Sequence, residues 1–246
     1  RTNTSALRPQ AAPGVDGVTW AEYGQDLEGN LQDLHARVQS GRYRAKPSRR
    51  VYIPKADGRQ RPLGIASLED KIVQRAVVEV LNSVYEVDFR GFSYGFRPGR
   101  SCHDAIEAIY LAINKQPCYV FDADIAKCFD RINRKRLLEK LNTYPTLRRL
   151  VRAWLQAGVM DGGELFPTAA GVPQGGPLSP LLANVALHGL EAAIRDAFPG
   201  TITRAGKRER WKPRIVRYAD DLVGLHRDLA VVERVQQITS EWLADM

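Results

Sequence analysis

A chain of 246 residues, 44% hydrophobic and 26% charged, can bury a substantial core, and its composition is ordinary for a globular protein, so disorder is not the default. A formal net charge of +8 favours a polyanionic partner, most simply nucleic acid. No run of about 18 apolar residues is present, which speaks against a membrane-spanning helix, and the start Arg1-Thr2-Asn3-Thr4 has no signal-peptide core and no Met, as expected of a fragment.

The opening segment is polar and loop-like as far as the turn signal Pro13-Gly14-Val15-Asp16-Gly17. A helix is expected over about 20–40, with Leu27, Leu31, Leu34 and Val38 on one face. Then come eight cations in twenty residues, Arg42, Arg44, Lys46, Arg49, Arg50, Lys55, Arg59 and Arg61, broken by a single acid, Asp57. Within that stretch Val51-Tyr52-Ile53-Pro54 and Arg61-Pro62-Leu63-Gly64-Ile65 read as strands joined at Ala56-Asp57-Gly58. Such a hairpin carries Lys55, Arg59 and Arg61 near its tip, where they can grip phosphates, although edge hairpins also carry cations to prevent aggregation.

An amphipathic helix over about 68–85 follows, striped by Ile72, Val73, Ala76, Val77, Val80, Leu81 and Val84. After a segment rich in Gly, aromatics and Arg (92–101), Ser101 and Asp104 form a capping box that opens a helix to about 114. Residues 118–125 read as a buried strand. Alternation puts Asp122 and Asp124 on one face, with Phe121, Ala123 and Ile125 on the other. A carboxylate inside an apolar strand is expensive unless compensated. Asn133 caps a basic helix, and 147–156 is another.

Gly171-Val172-Pro173-Gln174-Gly175-Gly176-Pro177 is a rigid loop leading into an apolar helix over 181–197, whose N-terminus can receive phosphate or close against a base pair, although the pattern alone equally fits a structural turn. A second basic cluster, Arg204, Lys207, Arg208, Arg210, Lys212, Arg214 and Arg217, runs into a strand, a reversal at Ala219-Asp220 and a returning strand. Asp220 and Asp221 repel one another at the tip. Solvent accounts for such a pair, and so does a divalent cation with hard oxygen ligands. Asp228 caps a last helix lined by Val231, Val232, Val235, Ile238 and Trp242. Cys102, Cys118 and Cys128 are odd in number and lack zinc-site spacing, in keeping with a reducing compartment. His35, His103, His188 and His226 are scattered and make no ligand pair at helical spacing.

In this order, a basic hairpin, an Asp-bearing strand, a Pro-Gln-Gly loop and a Tyr-Ala-Asp-Asp hairpin, the chain resembles a reverse transcriptase, and most of all those encoded by bacterial and organellar group II introns. The matching pieces are Arg61-Pro62-Leu63-Gly64-Ile65, Tyr94-Gly95-Phe96-Arg97-Pro98-Gly99-Arg100-Ser101, Asp122-Ala123-Asp124-Ile125 with Phe129-Asp130, residues 171–184, and Tyr218-Ala219-Asp220-Asp221. The glycine-rich second piece points to the group II lineage. Cys128 departs from the aromatic residue common there.

The resemblance implies an α+β right-hand polymerase fold: fingers over 1–115, and a palm over 116–246 whose antiparallel sheet packs on helices. Residues 134–170 contribute to the fingers, and thumb and maturase regions are not present. It implies Asp124, Asp220 and Asp221 as catalytic residues which, with Ile125, hold two Mg²⁺ ions, and Asp122 as an outer or solvated neighbour. Lys55, Arg61, Phe129, Gln174 and Ala219 would meet the nucleotide or primer end, with Phe129 as the gate against a 2′-hydroxyl. Arg49, Arg50, Arg97 and Arg100 would bind nucleic acid. The implied activity is RNA-directed DNA synthesis from dNTPs on a DNA primer and RNA template, possibly intron RNA, with a role in splicing or mobility. A CRISPR-associated or otherwise domesticated enzyme, or a mainly RNA-binding splicing module, is the alternative. The implied location is cytoplasmic or organellar, and a homodimer stays open.

Overall fold

The computed structural model describes residues 9–54, 57–89, 91–114 and 116–246. In the first half run α1 (Trp20–Tyr23), α2 (Leu27–Gln39), β1 (Ser48–Pro54), β2 (Gln60–Ile65), α3 (Leu68–Asp88), α4 (Cys102–Ile113) and β3 (Tyr119–Asp124). Then come α5 (Cys128–Arg131), α6 (Arg134–Lys140), α7 (Pro145–Gln156), β4 (Val159–Asp161), β5 (Glu164–Phe166), α8 (Ser179–Leu187) and α9 (Leu190–Asp196). The chain closes with β6 (Thr201–Arg204), β7 (Lys207–Arg210), β8 (Arg214–Tyr218), β9 (Asp221–His226) and α10 (Leu229–Asp245). No described helix is long and apolar enough to cross a membrane.

Two compact units result, each visited twice: Arg1–Ser83 with Phe129–Ser179, and Val84–Cys128 with Pro180–Met246. Residues 84–114 lie in the second unit, and 134–170 in the first.

The first unit is built on a sheet in the order β2–β1–β4–β5. β1 and β2 form the expected basic hairpin, in register from Arg49↔Ile65 to Pro54↔Gln60. β4 then joins β1 in parallel, a pairing no local pattern announces. Below the sheet Asp70, 1% exposed, accepts hydrogen bonds from Tyr43 Oη, Trp154 Nε1 (3.1 Å), Ser67 Oγ (2.6 Å) and the Lys46 amide (3.2 Å). A buried carboxylate so supplied with donors avoids most of its desolvation cost, and burial beside it pushes the Tyr43 hydroxyl far up. The helix expected over 20–40 is broken: Gly24 ends α1, and Asp26 caps α2 through the Gly29 amide. In α3 the buried stripe is Ile72, Val73, Val77, Val78 and Leu81, whereas Val80 and Val84, placed on it from sequence, are exposed.

The second unit is built on the antiparallel sheet β3–β9–β8. Its β8 side is extended by a parallel bridge between Ser93 and Arg217. Ile215 and Leu222 face Leu190 and Ile194 of α9 and Val235 and Ile238 of α10. Val216 instead packs with Tyr94 and Ala105. The helix expected over 181–197 is split where Gly189 turns left-handed (φ +99°). β6 and β7, not foreseen as strands, make a hairpin reversed at Ala205-Gly206, both with positive φ as a tight two-residue turn requires. Finally, β3 is an edge strand with Tyr119 and Val120 half exposed, so the expectation of a buried strand fails: sheet order leaves one side of it uncovered.

Candidate active site

β9 lies between β8 and β3, so one residue of β9 meets a partner on each side. Asp221 is opposite Tyr218 in β8 and opposite Asp124 in β3. Directly opposed residues in an antiparallel pair send their side chains to the same face, with Cβ atoms about 5 Å apart. Asp124 and Asp221 therefore share a face, and Asp122, two residues back, lies on it too. Asp220 sits in the intervening turn, and its carbonyl accepts a hydrogen bond from the Ile125 amide (3.1 Å), tying the end of β3 to the turn. Burial first, then the charges of Asp220, Asp124 and Asp122, push the Asp221 carboxyl above its ordinary range. Among the described residues no cation forms an ion pair with these carboxylates.

A turn under such repulsion needs support. Ala219 is buried with φ +57°, a left-handed conformation costly for a residue with a Cβ. Its carbonyl accepts a hydrogen bond from Arg217 Nη1 (3.0 Å). Arg217 is 1% exposed and uses all three nitrogens of its fork: Nε donates to Glu191, Nη1 also to Asn184 Oδ1 (3.1 Å), and Nη2 to Ser93 Oγ (2.8 Å). Asn184 passes the connection on, donating Nδ2 to the Gly95 carbonyl (2.9 Å). Gly95 presses on the turn so closely that a Cβ there would stand 2.3 Å from the Ala219 amide. The glycine-rich segment, the helix behind the Pro-Gln-Gly loop and the acidic hairpin are joined through one guanidinium.

Arg217 is therefore not a surface charge of the second basic cluster. Sequence reasoning missed the supporting roles of Arg217, Glu191, Asn184 and Ser93. A signal existed: Arg217 follows Ile215 at the core-facing period of two, and Glu191 lies between Leu190 and Ile194, so each is a charge in an apolar place that calls for the other.

In the first unit, Gln174 gathers several candidate residues. It accepts from Arg61 Nε (3.2 Å) through Oε1, donates Nε2 to Asp130 Oδ1 (3.1 Å), and its carbonyl accepts from the Gly64 amide (2.7 Å). Gln174, Phe129, Asp130, Pro62, Gly64 and Arg50 line a cavity of about 250 Å³. The loop is fixed beside Phe129 because Gly171 (φ +75°) has room only for hydrogen: a Cβ would lie 2.5 Å from the Phe129 carbonyl. Arg134 clamps the same loop, donating to the carbonyls of Thr168, Ala170 (2.9 Å) and Gly171 (2.8 Å).

Lys55 lies outside the described residues. Arg49 donates twice to the Pro13 carbonyl, and Arg100 to the Gly91 carbonyl beside the Tyr94 ring. Arg97 has another occupation than the expected one. It is 7% exposed, paired with Glu86 (2.8 Å), bonded to the Ser93 carbonyl and set over the Phe89 ring, so its charge is spent inside the protein.

Among the described residues, no three His, Cys, Asp or Glu side chains stand close enough to hold an ion as they are. The donor chemistry nevertheless fits Mg²⁺, a hard cation that takes one or two carboxylates and completes its shell with water and substrate phosphates. Ile125 has only its carbonyl oxygen to offer, and that accepts from the Cys128 amide (3.1 Å).

The family described as reverse transcriptase (RNA-dependent DNA polymerase) matches residues 53–246. The chain is similar to protein YkfC of Escherichia coli, 35% identical over 237 residues, covering 86% of this chain and 62% of that protein. It is also similar to the group II intron-encoded protein LtrA of Lactococcus lactis subsp. cremoris, 38% identical over 168 residues, 67% of this chain and 28% of that protein. The chain thus spans less than two thirds of either relative. In fold it resembles telomerase from Candida albicans, solved with a fragment of telomeric RNA, with a TM-score of 0.60 at 14% identity over 92% of this chain and 44% of that one.

Proposed function

Because the chain belongs to the reverse transcriptase (RNA-dependent DNA polymerase) family, in its group II intron-encoded branch, we propose that it is the fingers-and-palm part of an enzyme that extends a DNA primer with dNTPs on an RNA template. The primer 3′-oxygen forms a bond to the α-phosphorus of the nucleotide as the bond to pyrophosphate breaks, and the hydroxyl proton is released. The observation that carries this reading is Asp124 opposite Asp221 across two strands, with Asp220 in the turn between β8 and β9. Carboxylates drawn from separate strands at one edge are what cation-assisted phosphoryl transfer needs.

In this reading Asp124, Asp220 and Asp221 hold the divalent cations, with the Ile125 carbonyl beside them. Bound there, Mg²⁺ would lower the pKa of the primer hydroxyl and neutralise charge on the pyrophosphate. Arg217 and Gly95 keep the Ala219 turn in place, so that the primer end meets a fixed surface. In the first unit, Arg61 carries positive charge to the triphosphate, and Gln174 lies beside sugar and base. Phe129, at the gate, leaves no room for a 2′-hydroxyl. A splicing or mobility role on intron RNA in the cytoplasm or an organelle goes with the group II branch.

Extension of a DNA primer on an RNA template, compared for dNTP and NTP, tests the reading. Incorporation of dNTP that is lost in Asp220→Ala supports it, and Phe129→Val should admit NTPs. Incorporation that survives Asp220→Ala refutes it.

A further inference from the structure

Opposite the carboxylates, the same sheet ends in a basic hollow. The register runs from Asp124↔Asp221 at one end of the β3–β9 pair to Tyr119↔His226 at the other, five residue steps or roughly 17 Å. At that far end a cavity of about 370 Å³ is lined by Arg210, Lys212, Arg214 and Arg227, against one carboxylate, Glu209. Glu209 is already engaged by Arg227, whose guanidinium lies over the Trp211 ring (5.5 Å to its centroid). Lys212 reaches Asp196 at 3.4 Å. Arg210 and Arg214 are exposed and, among the described residues, have no acidic partner. The Arg227 Nε is buried without a hydrogen-bond partner. Unlike the Arg217 site, this one has more cation than the chain neutralises.

The hollow continues onto the β6–β7 hairpin. Arg208 and Arg210, two residues apart in β7, face the same way as Thr201 and Thr203 across the strand pair. Arg204 and Lys207 pair at the tip. On that face Arg208 and Arg210 form a short guanidinium track leading into the cavity, with Arg204 and Lys207 on the opposite face. Arginine forks match phosphate oxygens two at a time.

We propose that this end of the sheet binds the sugar-phosphate backbone of an RNA segment distinct from the one copied at the carboxylates. In the polymerase reading the nucleotide being copied lies at Asp124 and Asp221, and an occupant some 17 Å away is outside the templating position. The choice of RNA as the polyanion rests on the polymerase reading above.

The test is fluorescence anisotropy of the whole chain with a labelled RNA hairpin that offers no extendable end, titrated at several salt concentrations. In Arg210→Gln/Arg214→Gln the slope of log affinity against log salt should fall by about 2, one for each lost phosphate contact. Raising salt from about 50 to 200 mM should then weaken the unsubstituted chain about tenfold more than the variant. Primer extension by the variant at saturating primer–template should keep its rate. Loss of extension in the unsubstituted chain would therefore count against the polymerase reading alone. An unchanged slope overturns the RNA site. So does poly-glutamate that displaces the hairpin from the unsubstituted chain as well as unlabelled RNA does, since the hollow would then serve an acidic polypeptide. As a measurement that needs no variant, a hairpin carrying 4-thiouridine should crosslink within residues 207–214 or 226–227, and adducts confined to other segments overturn the proposal.

Discussion

The two ends of the β3–β9–β8 sheet carry opposite charge and are supported in opposite ways. At one end Asp122, Asp124, Asp220 and Asp221 share a small region, and Arg217 bonds the turn through a fork engaged at all three nitrogens. At the other, Arg210 and Arg214 stand in solvent beside a hairpin held by its own four-pair ladder. Like charges gathered on one face need a rigid base, because any freedom lets them move apart. A cationic surface that meets a flexible polyanion does not.

Removing the base should have the largest effect. Arg217→Met strands Glu191 without its cation, and breaking one side of a buried pair costs about 3–5 kcal/mol. Urea unfolding should show the loss, with primer extension falling alongside it. Replacing both partners, in Arg217→Met/Glu191→Met, should recover most of the stability but not the activity, because the Ala219 carbonyl still lacks its donor. Recovery of both would show the fork to be mere packing.

Asp124→Asn should lower dNTP incorporation on the order of a thousandfold with no loss of melting temperature, separating the acidic end's task from its support. Gly95→Ala comes next. Its Cβ would lie 2.3 Å from the Ala219 amide, and relieving that overlap should cost about 1–3 kcal/mol while displacing the turn. A variant as stable and active as its parent would remove the close approach from the account.

The smallest effect is the most diagnostic. The Asp221 carboxyl is pushed up, so the folded chain binds its proton more tightly than the unfolded chain does, and stability falls as pH rises through the carboxylate range. Asp221→Asn should therefore raise the metal-free melting temperature at neutral pH slightly, by about 1–2 °C given the exposure of the group. Mg²⁺ should stabilise the parent by mass action and the variant less. A fall in melting temperature on making Asp221→Asn would place the stabilising interactions elsewhere.

Much of the local structure was legible. The Ser101–Asp104 capping box, the Asn133 and Asp228 caps and the hairpins at 51–65 and 215–225 form as their residues suggest, since each interaction spans a few positions. Helix continuity was over-read where Gly24 and Gly189 sit inside otherwise helical patterns. Three-residue strands such as β4 and β5 were missed, because too few residues alternate to show a period and β4 pairs with a strand more than a hundred positions away.

By itself, the sequence determined which side chains alternate: Asp122 with Asp124, and Ile215 with Arg217, follow from the pleat of any strand. Which strands become neighbours is a matter of long-range packing, and the tertiary structure alone decided it. It set β9 between β8 and β3, left β3 at the edge, and turned a cation read as a surface charge into the buried support of the acidic turn. The physical reason is that the cost of burying Arg217 depends on Glu191, Asn184 and Ser93 arriving from distant parts of the chain, and no local pattern encodes their meeting.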